Sequence, residues 1–219
     1  VYVEGQIIPR RPLKAHETYL QETLIAQTQV STVCSQMELA AGLLSGYRSR
    51  LHKSDDNKTR FDYILYHIEN HFVRAGMVLD RALKLTNIVF RLGIPDRQCR
   101  FSVVAKNDYV KDTATYSKLV DLTNATKRYQ EQRNIVLHRE TYSDKELNSL
   151  RLFYHLEVHH PETAARMAHF YKRKTDMYIR KNKRRMGKDN ATISSKVFDL
   201  YDVLAKVFKQ NYEGLLNEG

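Results

Sequence analysis

The sequence predicts an all-α fold, an antiparallel helical bundle of about five to six long helices, and three observations carry that expectation. Gly (8) and Pro (4) are scarce in a chain of 219 residues, whereas a sheet-rich protein needs many turn residues. Apolar side chains recur every three or four positions over long stretches, which is the period of one helix face. The breaks between those stretches carry helix-end chemistry. At 42% hydrophobic residues the chain has the means to bury a sizeable core.

Residues 1–12, with Pro9 and Pro12, read as an extended segment. A first helix is expected over 13–47, where Ala26, Val30, Val33, Met37, Ala40 and Leu44 form one stripe. The polar, aperiodic stretch 49–60 reads as a loop. The second helix starts at Phe61 and buries Phe61, Leu65, Ile68, Phe72, Ala75, Leu79 and Ala82, with Gly93 as its C-terminal cap and Pro95 beyond. A connector over 94–111 holds "FSVVAK", a β-like run. The third helix is expected over 113–140, with Leu119, Leu122, Tyr129 and Val136 on its buried side. Ser143 with Glu146 fits a capping box for a fourth helix over 144–159. Pro161 suits the first turn of a fifth, to about 182. "MGKDNAT" reads as a turn, and a sixth helix over 192–216 carries Val197, Leu200, Leu204, Val207 and Phe208. The sequon at Asn190 reads as the start of that helix. There is no internal repeat, and residues 161–219 are expected to pack as C-terminal helices on the bundle formed by 13–160.

The net charge is +11 and the pI about 9.6, a surplus that favours polyanionic partners and says nothing of fold. Much of it is local. "KRKTDMYIRKNKRRMGK" holds Lys172, Arg173, Lys174, Arg180, Lys181, Lys183, Arg184, Arg185 and Lys188 against one acid, Asp176, a local net of +8. Such a run can neutralise several phosphates and release their counterions; as plain structure it is a solvated helix face. Tyr171, just before it, and Tyr178 within it offer stacking faces. No apolar run reaches membrane-spanning length and the first residues have no signal-peptide layout, so a cytoplasmic protein without membrane contact is expected, its initiator segment missing ahead of Val1. Cys34 and Cys99 form no disulfide framework and read as free thiols.

Two histidine pairs at helical spacing, His67 with His71 and His155 with His159, could each share a helix face at a metal. Neither has the glutamate placed as a metalloprotease helix needs, and a di-iron bundle needs a second Glu-x-x-His beside Glu157 and His160. The expected site is metal-free and without a cofactor, and the plain reading of these rings is polar or interfacial histidine.

The stretch "EQRNIVLH" is the remaining candidate. An arginine followed by a histidine a few residues on also occurs at Arg10 or Arg11 with His16 and at Arg60 with His67. Only Arg133 is followed by an amide, Asn134, and lies well inside a long helix. Asn134 and His138 are four apart and so are neighbours on one face, whereas Arg133 points about 140° from His138 on a regular helix. Either the arginine reaches around, the helix kinks, or a second subunit completes the site. As plain structure, Arg133 pairs with Glu131 or Glu140 and His138 packs at an interface.

Arg133, Asn134 and His138, with four residues between the arginine and the histidine, resemble the signature of the HEPN superfamily, and the helical pattern of Leu13 to His160 resembles its bundle. The resemblance implies a metal-independent endoribonuclease, with Arg133, Asn134 and His138 catalytic. It implies a homodimer whose two motifs face each other, acting on RNA in toxin, antiviral or processing systems, with an antitoxin or other neutralising protein as a further partner. Some members only bind. The residue types suit the chemistry. RNA brings its own nucleophile, histidine moves protons near neutrality, and the forked arginine matches phosphate oxygens. Products would be 2′,3′-cyclic phosphates. Arg139 and Tyr142 are candidate substrate contacts. Two further readings stay open: a non-catalytic nucleic-acid-binding or scaffold bundle, and a metal-binding bundle.

Overall fold

The computed structural model describes residues 2–3, 6–7, 11–47 and 59–217. Tyr2–Val3 (β1) and Gln6–Ile7 (β2) form a two-residue antiparallel ladder, Tyr2 opposite Ile7. All other regular structure is helical: α1 (Ala15–Leu43), α2 (Arg60–Val89), α3 (Phe101–Val104), α4 (Asp108–Lys111), α5 (Ala114–His138), α6 (Lys145–His159) and α7 (Pro161–Asn217), with a 3-10 turn at Asp96–Gln98. The all-α class holds. Most of the loop expected over 49–60 lies outside the described residues. No helix among them is long and apolar enough to cross a membrane.

The chain divides into two compact units. The first combines residues 1–31, 79–122 and 196–219. Its core includes Val30, Ala82, Leu83, Val104, Val110, Leu119, Leu122 and Leu200. The last carbonyl of α2, at Val89, has no partner within its helix. It accepts from the Tyr19 hydroxyl at 2.8 Å and from the Asn211 amide at 2.9 Å. Tyr19 also stacks on Phe208 at 5.1 Å.

The end of α2 corrects the expected cap. Leu92 N–H donates to Asn87 O and Arg91 N–H to Ile88 O, the two bonds of a Schellman turn. The left-handed residue that this turn needs is Arg91, at φ 54°, not Gly93. Gly93 also has positive φ, 68°, but lies two residues on, where the Asn87 side chain clamps Ile94 through both its N–H and its carbonyl. The "FSVVAK" run is likewise not a strand but the single helical turn α3 with Ala105 and Lys106 after it. Val104 and Ala105 are buried while Val103 is exposed, so the run buries one helical side.

The second unit combines residues 32–78 and 123–195. Met37, Leu44, Ile64, Ile68, Phe72, Ala75, Tyr129, Leu147, Leu150, Met186 and Ile193 are buried there. The expected fifth and sixth helices are one helix, α7, and "MGKDNAT" is no turn. Its buried positions run Thr175, Tyr178, Ile179, Asn182, Met186, Asn190, Ile193, Val197, Leu200 and Leu204, an unbroken three-four stepping. Two of the steps are asparagines, and that made the stripe look interrupted. Gly187 inside a helix costs about 1 kcal/mol relative to alanine, too little to break so long a buried face. Asn190 is therefore not a helix start. Its Nδ2 donates to the Met37 carbonyl at 3.4 Å, and its Oδ1 accepts from His71 Nε2 at 2.7 Å. The N-cap of α6 is Asp144 rather than Ser143, with Oδ1 accepting from Leu147 N–H at 2.7 Å. The full charge of a carboxylate at the positive end of the helix suits the position.

Candidate functional site

The late turns of α5 lie in the second unit. Thr126 and Tyr129 are buried, and Arg133, one turn further on the same side, is half-buried. Its Nη1 donates to the Gly76 carbonyl of α2 at 3.0 Å. Glycine at position 76 is required by the approach of the two helices. A Cβ there would meet Tyr129 O at 2.9 Å and Arg133 Cβ at 3.1 Å. The aliphatic stem of Arg133 thus lies across Gly76, and its guanidinium is held toward α2.

Asn134 and His138 are exposed. They are neighbours one turn apart, at the very end of α5. A single α5 therefore divides the three residues, with the amide and imidazole toward solvent and the guanidinium on the packed side.

The linker after His138 is pinned. Tyr142 N–H donates to Glu69 Oε1 at 2.8 Å, its ring meets Phe72 edge-on at 4.8 Å, and its hydroxyl donates to Asp144 Oδ2 at 3.1 Å. Tyr178 donates to the same oxygen at 2.8 Å. Burial, reinforced by the Asp144 charge, pushes both phenols above their ordinary range. Tyr142 thus spends its polar groups on the bundle, and Tyr178 is buried; Arg139 is exposed. Tyr171 stacks on Phe153 at 4.4 Å.

The basic run wraps around α7 and splits by face. Lys174 Nζ donates to Ser149 Oγ at 2.6 Å and lies over the Phe170 and Tyr171 rings. Lys181 pairs with Glu146 at 2.9 Å, Lys183 donates to Ser45 Oγ at 3.0 Å, and Arg185 donates to Asn182 Oδ1 at 2.7 Å. Lys172 is also exposed. Arg173, Arg180, Arg184 and Lys188 step by seven, four and four and share the exposed side opposite the buried stripe. Arg180 Nε donates to the Asp176 carbonyl of its own helix, at 3.3 Å.

The two histidine pairs have opposite surroundings. His67 and His71 are buried, at 6% and 0% exposure. Burial drives both below the ordinary imidazole range, His71 to about 4, although its bond to Asn190 pulls the other way. Among the described residues the Nδ1 of each has no hydrogen-bond partner. His71 also meets the Tyr129 ring at 5.3 Å. Tyr129 in turn donates to Asp189 Oδ2 at 2.5 Å, and Arg128 pairs with that oxygen at 2.6 Å. His155 and His159 are exposed, their ring centroids 4.4 Å apart. They line a cleft of about 370 Å³ with Arg151, Phe61, Asp62 and Thr141 among its walls. No group of three or more His, Cys, Asp or Glu among the described residues converges as a metal site would require. Arg151 was the residue that sequence reading missed. Its step of four to His155 and eight to His159 was the available signal. Cys34 and Cys99 are free thiols, and burial pushes Cys34 up to about 11.

A family model described as Cthe2314-like HEPN matches residues 20–210. No curated protein and no solved structure matches the chain.

Proposed function

We propose that this chain, which belongs to the Cthe2314-like HEPN family, is a metal-independent endoribonuclease acting as a homodimer. At the level of the superfamily, membership points to a nuclease, ribonuclease-type or related function. The finer reading is carried by one observation: the motif stands intact at the end of α5, with Asn134 and His138 open to solvent. In the proposed reaction an imidazole takes the proton of the ribose 2′-OH. The freed oxygen attacks the adjacent phosphorus, and the 5′-oxygen leaves with a proton from a second acid. A 2′,3′-cyclic phosphate and a 5′-hydroxyl result. Because one α5 turns Arg133 and His138 about 140° apart, two copies meeting at this helix end supply base, acid and positive charge together. Asn134 orients the ring or the phosphate. Arg173, Arg180, Arg184 and Lys188 draw in the strand by charge. A toxin or defence role, with a neutralising protein over the basic face, completes the proposal.

The test is cleavage of mixed-sequence RNA. His138→Ala should lower the rate at least 100-fold with the fold unchanged, chelators should have no effect, and an all-deoxy strand should stay intact. Cleavage that survives His138→Ala, or that a chelator stops, rejects the mechanism. Arg133→Ala is the weaker test, because it also removes the contact with Gly76.

A second reading, a non-catalytic nucleic-acid-binding bundle, is favoured by the bond from Arg133 to the Gly76 carbonyl, which engages the guanidinium in helix packing. It predicts salt-dependent RNA retention, no new ends and no effect of His138→Ala.

A further inference from the structure

The cleft on α6 offers a second set of polar groups, outside the motif. Arg151, His155 and His159 stand at steps of four, so one face of α6 presents three groups able to bind phosphate oxygens. The Arg151 guanidinium is 6.0 Å from the Phe61 ring. Asp62 of α2 lines the same cleft. Its Oδ2 accepts from Thr59 N–H at 2.8 Å and from Thr59 Oγ1 at 2.7 Å, which holds the carboxylate in place and leaves Oδ1 as an acceptor. Leu65 and Val158 supply apolar wall. A guanidinium and two imidazoles, with apolar surface and a fixed acceptor for amino groups in the same cleft, make up the recognition set of one nucleotide. The volume of about 370 Å³ lies in the range of small-ligand pockets.

The cleft is also tied to the motif. Thr141 lines it and comes three residues after His138. Three residues of extended chain span at most about 11 Å, a distance of the order of one or two nucleotides of backbone. The tether does not swing freely, since Tyr142 is held by Glu69 and Asp144.

We propose that this cleft is a substrate subsite, holding the RNA nucleotide next to the phosphate that faces His138; the assignment rests on the ribonuclease reading above. Phosphate goes to Arg151, His155 and His159, and the base edge to Asp62.

The experiment uses the full chain and a labelled 2′-O-methyl RNA tetranucleotide, which has no free 2′-OH and so cannot be cut. Arg151→Ala combined with His155→Gln and His159→Gln should weaken binding at least tenfold, while Lys106→Ala, an exposed cation in the other unit, changes it less than twofold. Circular dichroism checks that each variant is folded. No binding by the unaltered chain, affinity of the triple variant within twofold of it, or an equal loss in Lys106→Ala overturns the subsite. So does adenosine monophosphate binding as tightly as the tetranucleotide, because the cleft would then serve a free nucleotide. Cleavage of ordinary RNA is measured in parallel. A chain that cuts nothing but loses the tetranucleotide on changing Arg151 refutes the catalytic reading and keeps the cleft. One that cuts RNA while binding ignores Arg151 does the reverse.

Discussion

The interior and the rim of the second unit use the same residue types for opposite ends. Inside, His71 is fully buried, donates to Asn190, and joins α2 to α7, whose Asn190 in turn holds α1 through Met37. On the rim, His138, His155 and His159 are exposed. Both pairs, His67 with His71 and His155 with His159, have the same spacing of four. Spacing sets which side chains are neighbours; burial decides whether an imidazole is a structural donor or a group that a ligand can reach.

Acid separates the two environments most strongly. The His71 ring titrates near pH 4 when folded, against about 6.5 when unfolded. Above pH 6.5 it is neutral in both states and its contribution is complete. As pH falls from 6.5 toward 4 the unfolded chain binds the proton first, so stability drops by about 3 kcal/mol, and below pH 4 nothing further is lost. His67, shifted the same way by burial, adds to the slope. Urea unfolding from pH 7.5 to 4.5 should show this, and His71→Leu should flatten it. An unchanged slope would mean that the ring takes up its proton as readily in the fold as in the unfolded chain.

A smaller effect is expected from the partner of His71. Asn190→Ala leaves the buried Nε2–H without an acceptor and opens a small cavity, at a cost of about 2 kcal/mol. Thermal or urea melts measure it. A loss under 0.5 kcal/mol would show that water takes the place of the amide. Exposed His138→Ala should shift the melt by less than about 0.5 kcal/mol.

The smallest effect contrasts the two faces of α7. Arg184→Gln, on the outer face, should weaken RNA binding a few-fold and lower the salt slope by about one. Lys181→Gln, whose charge is already paired with Glu146, should do less. Equal effects from both would mean that the run acts as diffuse charge rather than as a face.

Much of the fold was legible because helix periodicity is local. The stripe from Ala26 to Leu44 is buried throughout, and in α2 only Leu65 of the expected residues is partly open. What failed were places where a tertiary partner changes the meaning of a residue. Asn182 reads in sequence as the end of one helix and Asn190 as the start of the next, yet they are core positions because Tyr178, His71 and Met37 satisfy their amides. The left-handed turn at the end of α2, expected of Gly93, falls to Arg91. In the site, Arg133, Asn134 and His138 stood out through residue type and their place in a long helix. Arg151 did not: its step of four to His155 is visible in sequence, but nothing singles it out until α2 brings Phe61 and Asp62 against α6.

By itself the sequence determined the helical class, the family to which residues 20–210 conform and the concentration of charge on the last helix. Those properties reside in nearest-neighbour periodicity and in composition. Only the tertiary structure decided that α7 runs unbroken, that one histidine pair is sealed while the other lines a cleft, and that Arg133 rests on Gly76. Each of these depends on which groups from distant parts of the chain satisfy or desolvate one another, and local pattern carries no record of that.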